Sequence, residues 1–227
     1  MNKEKLLAQT TTDYVNYFEY LQCQTVKGLS FESKNYLWSK GQELYVSEKL
    51  ADLPRDIKLA DMACGDGVGL QFFRALDFTD VEGFELSPEK IKKAEEYGYP
   101  VYEKDLHDLS DIEDKHYDVI YSSHTLEHLL DPIGVLREFK RILKNDGKVF
   151  IVLPYGRETA QQKGHFVHCG VEGLGLNVLD DGQTLINKLK KIDYEIVDKR
   201  LEKYREPEIW LELKKPNMIG DLSNEIV

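Results

Sequence analysis

Apolar residues recur along this chain in two alternating spacings, short runs of strand length and longer stretches at helical spacing. Ile57, Leu59 and Met62 belong to a first run that closes at Asp61, and Leu70, Phe72, Phe73 and Leu76 begin a helical pattern after it. Val81 to Phe84 predicts a second strand, with Ser87 and Pro88 as N-cap and first residue of the next helix. Val101 and Tyr102 end a third strand. Val119, Ile120 and Tyr121 form a fourth, running into a helix stopped by Asp131-Pro132. Pro132 to Leu143 is amphipathic and predicts a helix closed by Asn145-Asp146-Gly147 as C-cap and turn. Val149 to Leu153 is wholly apolar, which predicts a central strand. Thr184 to Leu189 predicts a last helix, and Tyr194 to Val197 with Ile209 to Leu213 a closing antiparallel pair. The alternation predicts an α/β fold with a seven-stranded, mostly parallel sheet, helices on both faces and an antiparallel C-terminal strand pair.

Around this frame the chain divides into an N-terminal helical cap (1–50), a central domain (51–216) and a tail (217–227). In the cap, Leu6, Leu7, Tyr14, Val15, Phe18 and Leu21 have rough helical spacing, and a second helix covers Gln42 to Leu50. Tyr36 and Trp38 either line a pocket or pack on the sheet. Residues 154–182 are irregular and glycine-rich; a loop this long in a compact domain is usually functional, so it is read as a substrate loop.

Composition narrows the class. A chain of 227 residues, 41% hydrophobic and 31% charged, suits one full-sized core. A net charge of −11 without a basic run argues against a nucleic-acid partner. The Lys188-Leu189-Lys190-Lys191 patch reads as a solvated helix end. Cys23, Cys64 and Cys169 are odd in number and widely spaced, which implies neither a disulfide framework nor a zinc cluster. No apolar stretch reaches membrane length and the start lacks a signal-peptide core, so no membrane partner and a cytoplasmic location are expected.

The chemistry concentrates in residues 57–69, where a strand, a glycine turn (Gly65, Gly67, Gly69) and a helix succeed one another. Such a turn admits a ligand where a Cβ would clash and aims free N–H groups at it. Glu85 ends the second strand about 20 residues later, placed to accept from two ribose hydroxyls. Asp105 follows the third strand, where a carboxylate can accept from an adenine amino group. The fourth strand leads into Ser122-Ser123-His124.

These four ordered motifs resemble the class I S-adenosylmethionine (SAM)-dependent methyltransferases, in the small-molecule branch that includes ubiquinone-type and sugar O-methyltransferases. The resemblance spans roughly residues 55–155 and implies a Rossmann-like methyltransferase fold. The family's acid-x-Gly-x-Gly-x-Gly turn stands here as Asp61-x-Ala63-x-Gly65-x-Gly67, with alanine for the first glycine. It implies SAM as cofactor and S-adenosylhomocysteine as product, held by Asp61, Ala63, Cys64, Gly65, Gly67, Glu85, Leu86, Asp105, Leu106, Ser122 and Ser123. It also implies methyl transfer to a small-molecule acceptor, with a sugar or nucleotide-sugar oxygen as the leading class. A non-catalytic scaffold of the same fold is the alternative. An NAD-dependent oxidoreductase is disfavoured, because Asp66 in the turn repels a pyrophosphate and the spacing is not Gly-x-Gly-x-x-Gly.

The histidines after the fourth strand and in the glycine-rich loop remain. His124-Thr125-Leu126-Glu127-His128 matches an inverted zinc-protease motif, but it follows a parallel strand rather than sitting in a long helix, and no metal is expected. Glu127 and His128 are read as buried residues that hold the loop. His124 leaves the fourth strand where open α/β sheets bind ligands, and His165 and His168 lie in the glycine-rich loop above it. All three are candidate catalytic residues, as general base for an alcohol or amine. For His165 and His168, substrate orientation, a divalent metal shared with Glu172, Asp180 or Asp181, and a purely structural role stay open. Arg157 and Lys163 are either partners for an anionic acceptor or solvated loop charges.

Overall fold

A computed structural model of the protein describes residues 31–155, 169–203 and 207–216. In chain order these form α1 (Phe31–Leu50), β1 (Lys58–Met62), α2 (Val68–Ala75), β2 (Asp80–Glu85), α3 (Pro88–Ala94) and β3 (Val101–Glu103). There follow β4 (Tyr117–Ser123), α4 (Pro132–Ile142), β5 (Leu143–Pro154), α5 (Cys169–Leu174), α6 (Gln183–Lys191), β6 (Glu195–Lys203) and β7 (Pro207–Lys214). The seven strands make one sheet in the order β3-β2-β1-β4-β5-β7-β6. β1 to β5 run parallel, and β7 inserts antiparallel between β5 and β6.

Strand alternation sorts the core onto two faces. Leu59, Val119, Tyr121, Phe150, Val152 and Trp210 face one way and receive Tyr45, Val46 and Leu50 of α1 and Leu70, Phe72 and Phe73 of α2. Ala60, Met62, Ile120, Ile151 and Leu211 face the other, against Val135, Leu136 and Phe139 of α4, Leu174 of α5 and Leu185 of α6. Tyr45 packs on Trp210 with ring centroids 4.9 Å apart. Lys49 ties the end of α1 to Asp198 at 2.7 Å and to the nearly buried Glu212 at 3.0 Å. Helix α1 is therefore part of the domain's packing, and it begins eleven residues before the predicted Gln42.

Three local expectations are corrected. Asp131-Pro132 starts a helix instead of stopping one: the Asp131 carboxylate accepts the Gly134 N–H at 2.8 Å as N-cap of α4, and Leu126–His128 before it is a single 3₁₀ turn. Asn145-Asp146-Gly147 is not a helix C-cap. The helix ends at Ile142, and buried Leu143 already pairs with Tyr117 as the first residue of β5. The three residues lie in an irregularity between that pair and Val119–Lys148, where a Cβ on Gly147 would stand 2.9 Å from the Asp118 carbonyl. Within 154–182, Cys169–Leu174 forms helix α5, so the stretch is not irregular throughout. Among the described residues no helix is long and apolar enough to cross a membrane.

Candidate functional site

Strand order reverses between β1 and β4, and open α/β sheets bind ligands at the carboxyl ends of strands beside such a point. A cleft of about 480 Å³ opens there, lined by Asp61, Ala63, Cys64, Gly65, Asp66 and Gly69 of the turn, with Glu85, Lys90, Tyr121, Ser123, His124, Thr125, His128 and Leu129. Gln42 of α1 completes its wall.

The turn is built for close approach. Gly65 is left-handed, at φ +56°, and a Cβ there would project into open space in the cleft. Gly69 opens α2 under Asp61, and a Cβ on it would lie 2.2 Å from Asp61 Oδ2. Ala63 occupies the left-handed region at φ 64°, a conformation glycine takes without steric cost. Asp66 is exposed and paired with Lys93 at 3.2 Å.

Asp61 is the least satisfied group of the cleft. It is 2% exposed, and its Oδ2 has no hydrogen-bond partner. Burial, and then the neighbouring Glu85 charge, push its pKa up to about 8. Burial likewise raises the Cys64 thiol far above its ordinary range, which makes it an inert buried thiol. The Glu85 carboxylate accepts the Gly65 N–H at 2.9 Å with one oxygen and the Leu86 and Ser87 N–H groups at 2.9 and 3.0 Å with the other. It thus braces the glycine turn against the start of α3.

The other expected residues divide. Ser123 Oγ donates to Gln42 Oε1 at 3.1 Å and lines the cleft, whereas Ser122 Oγ turns away to the Met62 carbonyl at 3.2 Å. Gly67 caps α2 at φ +93°, behind the cleft lining. Asp105 is exposed and accepts from the His107 backbone N–H at 2.9 Å; Leu86 is exposed and Leu106 buried, and none of the three lines the cleft. The backbone bond from His107 and then its side chain hold Asp105 below the usual carboxylate range. Gln42 went unrecognised in the sequence. It is buried, accepts from Tyr121 OH at 2.8 Å as well as from Ser123, and leaves its own amide Nε2 unpartnered. Its only sequence signal is a polar residue on the buried stripe of α1.

His124 is left-handed at φ 51°, and its backbone N–H donates to the Val152 carbonyl at 2.9 Å. Its ring stands between two buried carboxylates: Nε2 is 2.7 Å from Glu208 Oε1 and Nδ1 is 3.5 Å from Glu127 Oε1. Burial lowers its pKa, but the bonds to Glu127 and Glu208 and their charges outweigh burial and raise it to about 9. At neutral pH the ring is an imidazolium, a donor on both nitrogens. Glu127 is fully buried as expected, while His128 is not: its side chain is 44% exposed, with Nε2 3.7 Å from Glu127. Asp180 is engaged as a cap, accepting the Thr184 N–H at 2.8 Å. His165, His168, Arg157, Lys163 and Cys23, and the side chains of Tyr36, Trp38 and Cys169, lie outside the described residues.

Comparison with known proteins bears on the family and the fold. A family profile described as a methyltransferase domain matches residues 38–199. The chain is 29% identical over 186 residues to phosphoethanolamine N-methyltransferase 1 of Arabidopsis thaliana, covering 74% of this chain and 36% of the plant protein. It is 27% identical over 171 residues to a ubiquinone/menaquinone biosynthesis C-methyltransferase of Campylobacter jejuni, covering 71% of this chain and 70% of that one. The chain thus spans about a third of the plant relative's length. Among solved structures, a SAM-dependent methyltransferase from Mesorhizobium loti superposes with a TM-score of 0.60 at 15% identity, over 78% of this chain and 100% of that one; this likeness concerns the fold.

Proposed function

The chain belongs to the methyltransferase-domain family, and we propose that it transfers a methyl group from SAM to a small-molecule acceptor. The observation that carries the reading is Asp61 Oδ2, buried and unpartnered at the wall of the cleft. A buried acid without a partner is costly, and a cationic ligand at that spot offsets the cost. SAM carries an ammonium and a sulfonium, so the residues present fit it. When bound, it supplies an electrophilic methyl whose transfer discharges the sulfonium.

In this reading Asp61 holds the ammonium, Ala63, Cys64 and Gly65 shape the wall, and Gly67 supports the turn from behind as the cap of α2. Glu85 takes the ribose, for which it has one of four acceptor positions left beside three backbone donors. Leu86, Asp105, Leu106 and Ser122 enter on the family resemblance, with Asp105 toward the adenine. Ser123 and the free Gln42 amide face the reaction space. Residues 154–182 cover the acceptor, and 1–50 cap the same cleft. His124, already protonated at neutral pH, orients or donates; the acceptor's proton then goes to His165 or His168. Proximity and orientation provide most of the acceleration.

The finer reading is a sugar or nucleotide-sugar oxygen as acceptor, in the cytoplasm. It rests on the resemblance, and the names of the two relatives add amines and quinone carbons to the acceptors worth testing. Calorimetry with SAM and S-adenosylhomocysteine, followed by mass-spectrometric detection of methylated product from sugar, amine and phenol pools, tests it. Micromolar SAM binding, about −8 kcal/mol, with turnover of one pool is expected. Absence of SAM binding overturns the function; binding without turnover of any pool favours the scaffold alternative.

A further inference from the structure

At the opposite end of the sheet, where β4 and β5 begin and β7 ends, lies a second cleft of about 480 Å³. It is separated from the first by the length of β4, roughly 20 Å for its seven residues. Six cations line it: Lys115, Arg137, Lys140, Arg141, Lys191 and Lys215. They come from four separate stretches of sequence, so the linear chain shows no basic run.

The floor cations are anchored. Lys140 donates to the Ile192 carbonyl at 2.9 Å, Arg141 to the Leu109 and Ile112 carbonyls at 2.7 Å each, and Lys215 to the Leu143 carbonyl. The only acids in the lining, Asp114 and Asp193, are already paired with Arg141 and Lys140 at 2.8 and 3.2 Å, and Glu138 supports Arg141 from behind. The rim cations Lys115, Arg137 and Lys191 are exposed and have no side-chain partner among the described residues. Burial, then the charges of Lys115 and Lys140, lower the pKa of Lys215, so the fold holds like charges together at a cost that a bound anion would relieve.

We propose that this cleft is a binding site for a small oligophosphate group, carried free or on a nucleotide. Guanidinium and ammonium donors in one concave wall match clustered phosphate oxygens. The size of the ligand follows from the charge around the site. Six cations against two acids leave the lining four charges positive, so the rest of a chain of net charge −11 is fifteen negative in excess. A polyanion that extended beyond the cleft would meet that field, and a compact one would not.

The probe is inorganic tripolyphosphate, titrated calorimetrically into the full chain at low salt, with ATP in a parallel arm. Saturable one-to-one binding is expected, with Kd on the order of 10–100 µM, weakening as salt rises. The exposed double variant Lys115→Glu/Lys191→Glu should lose about tenfold or more while keeping its melting temperature. Saturating S-adenosylhomocysteine should leave the binding unchanged, because the two clefts lie at opposite ends. Equal affinity for ATP and tripolyphosphate places recognition in the phosphates alone; tighter ATP binding adds the nucleoside. No saturable binding, undiminished binding by the double variant, or competition with S-adenosylhomocysteine overturns the proposal. Tighter binding of a 20-nucleotide single strand than of tripolyphosphate overturns the small-ligand assignment.

Discussion

His124 Nε2 and Glu208 Oε1 lie 2.7 Å apart, joining the end of β4 to the start of β7 across β5. Glu208 is itself fixed, because its second oxygen accepts the Trp210 indole N–H at 2.7 Å. The relationship turns a histidine placed to be a base into a partly exposed cation between two buried carboxylates. It also makes the rim of the cleft depend on β7.

Stability should therefore fall as the solution becomes alkaline. The folded pKa of His124, about 9, lies above its ordinary value of 6.5, so its contribution is complete below pH 6.5 and vanishes as pH rises through 9. The shift corresponds to roughly 3 kcal/mol at most. Glu208→Gln should pull the histidine's titration down and narrow this window. NMR titration of the ring together with melting curves from pH 6 to 9.5 measures both; a wild-type ring titrating at 6.5 refutes the ion-pair account.

Asp61→Asn should stabilise the ligand-free protein while weakening cofactor binding. The acid's pKa is raised from 3.8 to about 8, so between those values the unfolded chain releases a proton that the fold retains, and stability drops with rising pH. Asparagine removes that penalty. Near pH 8 the melting temperature should rise, at about 2–4 °C per kcal/mol. SAM affinity should fall at least about tenfold, or 1.4 kcal/mol. In the wild type, cofactor binding should release the Asp61 proton, visible as a binding enthalpy that varies with buffer ionisation. A less stable variant that binds SAM normally would contradict both roles.

Much of this architecture was legible because parallel strands buried on both faces and their intervening helices write distinct periods. The pairing of Leu59 with Val81 and Val119, and of Val119 with Lys148, follows that alternation. The glycine turn was legible as well, since Asp61, Gly65 and Glu85 are close in sequence to the strand ends that display them. What stayed hidden depends on long-range contacts. Glu208 meets His124 from 84 residues away, and Gln42 meets Tyr121 from 79. Asn145-Asp146-Gly147 misled because a bulge and a C-cap favour the same residues; the burial of Leu143, a tertiary effect, decided between them.

Ala63→Gly should stabilise the turn without disturbing the cleft. An alanine at φ 64° carries left-handed strain of about 1–2 kcal/mol, and glycine's extra unfolded-state entropy returns part of it. A net gain of about 0.5–1 kcal/mol in denaturant unfolding is expected. A loss would show that the alanine methyl makes a contact worth more than the strain.

Gln42→Leu should cost about 1–3 kcal/mol, since it strips the fully buried Tyr121 hydroxyl of its acceptor. Adding Tyr121→Phe removes the orphaned hydroxyl, so the double variant should be more stable than Gln42→Leu alone. Additive losses in urea melts would mean that the two side chains are not coupled.

Two glycines in α5 should respond oppositely to alanine. In an α-helix the exchange favours alanine by about 1 kcal/mol on backbone grounds, so any difference between the sites reports their surroundings. At Gly173 an added Cβ would lie 3.3 Å from Pro132 Cγ, a tight contact with one side-chain atom. At Gly170 it would lie 2.1 Å from the Glu127 carbonyl oxygen and 2.4 Å from its carbon, both backbone atoms of the 3₁₀ turn that carries His128. Backbone cannot rotate aside, so α5 or the turn has to move. Gly173→Ala should be neutral or mildly stabilising, and Gly170→Ala should destabilise by about 1–3 kcal/mol. The displacement reaches the site through Glu127, whose carboxylate stands 3.5 Å from His124 Nδ1. Gly170→Ala should therefore also lower the pKa of His124 from about 9, while Gly173→Ala leaves it in place. Equal melting temperatures for the two variants, or an unmoved His124 titration in a destabilised Gly170→Ala, would break the link between α5 docking and the charge of the cleft.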